Sequence, residues 1–100
     1  MSAAPAGAFV VDGDRWRFNG VLTFDGASTV LASAVGLPLP ASGVIDMTGL
    51  EHADSAALAV VLALRRRAVA EGRSALSFVG IPPMLESLAR VYGIEEFIVA

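Results

Sequence analysis

One hundred residues, 55% of them hydrophobic, carry ten acidic side chains against seven basic ones, all arginine, for a net charge of −3. A chain of that length suits one compact domain that buries roughly two thirds of its unfolded surface without staples, and its acidic balance offers no electrostatic footprint for nucleic acid phosphates. The absence of cysteine excludes a disulfide framework, a thiol nucleophile and a thiolate zinc site, and fits a reducing compartment.

Residues 1–8 read as a flexible N-terminus. Met1 to Gly7 is small and uncharged and soon meets Asp12 and Asp14, so it lacks the basic start and long apolar stretch of a signal peptide. Phe9-Val10-Val11 and Trp16-Arg17-Phe18 are β-type runs either side of the turn sequence Asp12-Gly13-Asp14-Arg15, which predicts a hairpin. Its aromatics, with Phe24, are expected in the core. From Thr23 the period changes: Phe24, Ala27, Val30, Leu31, Ala34 and Val35 recur at helical spacing until Gly36, Pro38 and Pro40 stop the helix. Val44 to Met47 reads as a short buried strand, Thr48 to Asp54 as a polar loop, and Ser55 to Gly72 as a second helix.

The second helix contains the longest apolar run, Ala56 to Leu64, which falls well short of the ~20 residues of a membrane span and ends in Arg65-Arg66-Arg67. Ala75 to Val79 is a further strand, and Pro83 suits the first turn of a third helix. That helix has an inner stripe of Met84, Leu85, Leu88, Ala89 and Tyr92 and a cap at Gly93. Ile94 to Val99 is a final short helix or strand, with Phe97 and Ile98 packing back on the domain. The order ββαβαβα plus tail gives an α/β fold over residues 9–100: a mixed sheet with an N-terminal hairpin, parallel crossovers and helices packed on it.

The stretch between the third strand and second helix places Asp46, Thr48, Asp54 and Ser55 where α/β domains commonly bind ligands or partners. Asp54 or Ser55 can accept hydrogen bonds from the unpaired amides of the first helical turn, and capping alone is the plain alternative to a binding role. Asp46-Met-Thr-Gly-Leu, three residues, then Asp54-Ser-Ala-Ala-Leu resembles the signature of STAS domains. That family includes anti-sigma factor antagonists, the cytosolic tails of sulfate transporters and the MlaB-like subunit of bacterial phospholipid ABC transporters.

Phospho-switched antagonists of the family resemble Asp-Ser-Ser-Gly and accept phosphate on the second serine, where this chain has Ala56. MlaB-like subunits usually carry Thr-Ala or Ser-Ala there, with the hydroxyl docking on the ATPase subunit, so Ser55 matches that role. The resemblance therefore implies a non-catalytic accessory subunit, cytoplasmic and peripheral at the inner membrane, that binds the ATPase subunit with its permease and needs no cofactor. An anti-sigma factor is the alternative partner, through the same loop and with Ser55 as its remaining phosphorylation candidate. A homodimer of the isolated chain is the other association left open.

On a helical wheel Leu58, Val61, Leu62 and Val69 share a stripe expected against the sheet, while Ala56, Ala59, Val60, Ala63 and Leu64 form an apolar outer patch. The patch beside Ser55 is expected to dock the partner, with Arg67 extending the contact. Catalysis has thin support: His52, the only histidine, stands close to Asp54 and Ser55 in one loop, which does not build a triad, and Asp46 with Asp54 makes a poor cation site.

Overall fold

The computed structural model describes residues 7–73 and 76–97. Strand β1 (Ala8–Asp12) and strand β2 (Arg15–Leu22) pair antiparallel across a tight turn that Gly13 makes at φ +64°, a conformation open to glycine. Helix α1 (Ala27–Val35), strand β3 (Val44–Ala53), helix α2 (Ala56–Ala70), strand β4 (Ser77–Val79) and helix α3 (Pro83–Val91) follow, then a 3₁₀ turn, Glu95–Phe97. The described strands form a four-stranded sheet in the order β1-β2-β3-β4, with β2, β3 and β4 mutually parallel. The expected α/β fold with a mixed sheet is the fold observed. The expected flexible segment lies outside the described residues up to position 6, and Ala8 already belongs to β1.

Register explains where the core sits. Val11, Trp16, Ile45 and Phe78 are successive cross-strand partners, as are Phe9 and Phe18, so their side chains share one face of the sheet. On that face Trp16, Phe18 and Ile45 are fully buried, and Phe9 meets Phe18 edge-on with ring centroids 5.0 Å apart. The helices cover this face with Val30 and Ala34 of α1, Ala57, Leu58, Val60, Val61, Leu64 and Ala68 of α2, and Leu85 and Ala89 of α3. Each large apolar side chain so buried contributes roughly 1.5–3 kcal/mol relative to exposure. The opposite face carries the row Val10, Arg17, Asp46 and Val79, all exposed or half-buried.

Several sequence expectations are corrected here. The polar stretch after Met47 is strand for six more residues, Thr48 to Ala53. Two register shifts against β2, between Arg17 and Asn19 and between Gly20 and Val21, insert extra residues on the β3 side. They turn the buried positions from a two-residue to a three-residue spacing, Met47, Leu50, Ala53. Gly49 sits at the first bulge, where a Cβ would run into the Phe18 carbonyl and the Asn19 side chain.

Phe24, expected in the core, is 83% exposed because it precedes α1 in a turn instead of lying on its inner face. Val35 is exposed too, at the C-terminal end of that helix. The sheet-facing side of α2 is rotated from the expected stripe: Val60 and Leu64 are buried while Val69 is 73% exposed and Leu62 only half-buried. On α3 only Leu85 and Ala89 are fully buried, with Leu88 half-buried and Met84 and Tyr92 exposed.

The ends of the helices follow the sequence. Pro83 opens α3 and Glu86 lies in its first turn. Gly72 and Gly93, at φ +72°, end α2 and α3, and the residues after them, Arg73 and Ile94, donate back to Ala68 and Ala89 in the Schellman pattern. The expected β-start at Ala75 and the packing of Phe97 and Ile98 fall outside what the structure describes.

Residues 36–43 connect α1 to β3 and are held by side chains from β2, from α2 and from the segment after α2. Pro38 and Pro40 contribute no amide, so this segment offers mainly carbonyls. Trp16 Nε1 donates to Pro38 O at 3.0 Å, Arg73 Nη2 to Pro40 O at 2.6 Å, and Arg67 Nη2 to Leu37 O. Ser42 fixes the far end, its amide and hydroxyl both donating to Asp14 O.

Candidate functional site at the strand ends

Leu22 and Ala53 are cross-strand partners at the C-terminal ends of β2 and β3, so the turns leading into α1 and α2 leave the sheet side by side. Such an edge of a parallel sheet is where α/β folds place binding sites. Asp54 ties the two turns together. Its Oδ1 accepts from the Ala56 amide at 2.8 Å and its Oδ2 from the Phe24 amide at 3.0 Å. The carboxylate thus satisfies one of the orphan amides of α2, sits at the positive end of that helix and fixes the turn carrying Phe24.

Asp54 therefore does the capping. Ser55, already helical at φ −63° and ψ −17°, makes no side-chain capping bond and is exposed. Its hydroxyl, Phe24 and Ala56 stand on the same shoulder, beside an apolar depression between α1 and α2 of ≈420 Å³ lined also by Ala27, Leu31 and Ala59. Farther along the same pair of helices a second depression, ≈390 Å³, is lined by Ala32, Val35, Ala63 and Arg67. Leu31 borders both, so the two depressions lie in line along the α1–α2 seam and are together termed the channel.

Ser55, Ala56, Ala59, Ala63 and Arg67 are brought together along this channel; Val60 and Leu64, expected on the outer patch, form its floor and are 1% and 2% exposed. Arg67 turns inward. Its Nη1 donates to Ala34 O at 3.0 Å, its Nε to Glu71 Oε2 at 2.8 Å, and its guanidinium lies 6.0 Å from the centre of the Trp16 ring. Phe24 is the member of this surface that sequence reasoning missed. The available signal was Asp25-Gly26, a turn pair that moves the helix start to Ala27.

Asp46 and Thr48 are not part of this cluster. Asp46 lies near the other end of β3, separated from Ala53 by the length of five β2 residues, about 17 Å at the usual strand rise, and Thr48 lies in the middle of the strand. Asp46 Oδ1 accepts from the Thr48 amide at 2.9 Å and from its hydroxyl at 2.7 Å. Those two bonds, with a smaller contribution from Arg17 and Arg15, hold the Asp46 carboxyl below the usual carboxylate range. The pair shapes the first bulge, and Thr48 packs against Gly80. His52 is exposed on β3 opposite Val21, and among the described residues no group of three histidine or carboxylate side chains is placed to hold a metal ion.

Among the described residues no helix is long and apolar enough to cross a membrane. Comparison with protein families shows that the model for the MlaB STAS domain matches residues 11–100. No curated protein matches the chain. The chain belongs to the MlaB-like STAS domain family, and STAS domains are generally non-catalytic binding modules, which makes a binding or regulatory role the general function.

Proposed function

From membership in the MlaB-like STAS family as premise, we propose that this chain is an accessory subunit that binds the cytoplasmic ATPase subunit of an Mla-type phospholipid ABC transporter and supports its assembly or activity. ATP hydrolysis belongs to the partner, and the domain is held at the cytoplasmic face of the inner membrane through the complex. The observation that carries this reading is the division of labour at the start of α2. Asp54 performs the capping, which leaves the exposed Ser55 hydroxyl beside an apolar channel walled by small side chains. A polar group able to hydrogen-bond across a contact, next to apolar surface that closes against a partner, has the composition of a protein interface. Ala56 carries no hydroxyl for the phosphate switch of the anti-sigma antagonists.

The test is affinity capture of the tagged protein from its own cells, with Ser55→Leu and Ala63→Asp variants of unchanged melting temperature alongside. Recovery of an ABC ATPase and its permease with wild type, and at least tenfold less with either variant, is the expected result. Recovery of a kinase-like anti-sigma factor in their place would replace this reading by the antagonist one.

A further inference from the structure

We infer that Arg67 is a positioning residue, a strut that sets the distance of α1 from α2 and with it the width of the channel along their seam. This rests on the docking role proposed above for that channel and names what controls its shape.

The argument begins with what α1 lacks. A helix ends with carbonyls that have no intrahelical donor and with a partial negative charge that a cation stabilises. Helix α1 has no basic residue in its last turn, and Gly36 caps it only by backbone bonds. The missing cation comes from the neighbouring helix. Arg67 of α2 reaches across to donate to Ala34 O in the last turn of α1 and to Leu37 O just past it. Glu71 takes the Nε edge of the guanidinium from below, so three separate acceptors fix the plane of the group.

Its side chain is only 22% exposed and each of its three nitrogens already donates within the domain, so Arg67 serves a partner through α1 instead of by touching it. The other end of α1 is tied by the Asp54 carboxylate to the Phe24 amide. Between these two ties α1 and α2 face one another across the channel, lined there by Leu31, Ala59 and Ala63. Moving either tie changes the gap. A lysine at position 67 supplies charge without the planar fork, and so holds one carbonyl at a time.

The experiment compares wild type, Arg67→Lys, Arg67→Ala and Ser55→Leu in two measurements on the full chain. Amide hydrogen exchange of residues 27–37 reports the strut directly, and titration against the purified ATPase recovered by capture reports the channel. Exchange in α1 is expected to quicken at least tenfold in Arg67→Ala and less in Arg67→Lys, with affinity falling at least tenfold and by an intermediate factor respectively. Ser55→Leu is expected to weaken binding with α1 exchange unchanged. Binding that depends on Ser55 yet stays within twofold in both Arg67 variants would overturn the strut, as would unchanged α1 exchange in the two of them. Binding indifferent to Ser55→Leu would overturn the docking reading itself. Should Arg67→Ala fail to fold, Arg67→Lys decides alone by the same thresholds.

Discussion

Two aspartates in similar sequence settings do different work, and the difference is one of neighbours. Asp54 bridges two turns, whereas Asp46 closes a local ring on Thr48 within a single strand. Because Asp46 titrates below its ordinary 3.8, its ionised form stabilises the fold above that pH, and the contribution disappears as the pH falls through the lowered value. Asp46→Asn is therefore expected to lower stability at pH 7 by about 1 kcal/mol or less, since the group is in contact with water. Urea unfolding of the two proteins is expected to show that gap narrowing below pH 3.8. A gap that widens in acid would contradict the assignment.

At the level of elements, the orientation of α2 separates two readings of the same helix. The packed side keeps Leu58 and Val61 of the expected stripe but is completed by Ala57, Val60, Leu64 and Ala68, not by Leu62 and Val69. Leu64→Ala is accordingly expected to cost about 2–5 kcal/mol and Val69→Ala within about 0.5 kcal/mol, as measured by chemical denaturation. The order of elements along the chain, the hairpin and the three helices were legible in the sequence because each rests on a local signal: a turn sequence, a period, a proline or a glycine cap. What was not legible has physical reasons. The two bulges in β3 abolish the two-residue alternation from which a strand is recognised, so six strand residues read as a polar loop. In α2 the apolar residues run almost all the way around, leaving the packed direction to be chosen by α1 and the sheet instead of by the helix. The sequence places Arg67 on the partner contact and carries no local sign of its inward turn, because its acceptors, Ala34 O and Leu37 O, are backbone groups some thirty positions away.

Across the whole molecule, the proposed partner surface is a junction and not a single element. The turns after β2 and β3 share one carboxylate, and α1 is referred to α2 at both ends. Asp54→Ala is expected to cost about 1–2 kcal/mol as a lost helix cap. It is also expected to reduce ATPase capture by more than an Ala59→Ser variant does, because it frees the turn that presents Phe24 as well as the helix start. Equal capture by the two variants, measured well below both melting temperatures, would show that the turns act independently.

The carbonyl-rich segment at residues 36–43 has a consequence for the order in which the protein comes into being. Two of its side-chain anchors, Arg67 and Arg73, are encoded roughly thirty residues after the carbonyls they bind, at Leu37 and Pro40. A chain emerging from the ribosome N-terminus first exposes the hairpin, α1 and the proline segment before either arginine has been made. Trp16, whose indole binds the same segment and faces Arg67, is then without the guanidinium that lies over it in the finished domain. The only tryptophan of the chain is thus a natural clock for synthesis: its emission is expected to reach the native value only once position 73 has cleared the exit tunnel.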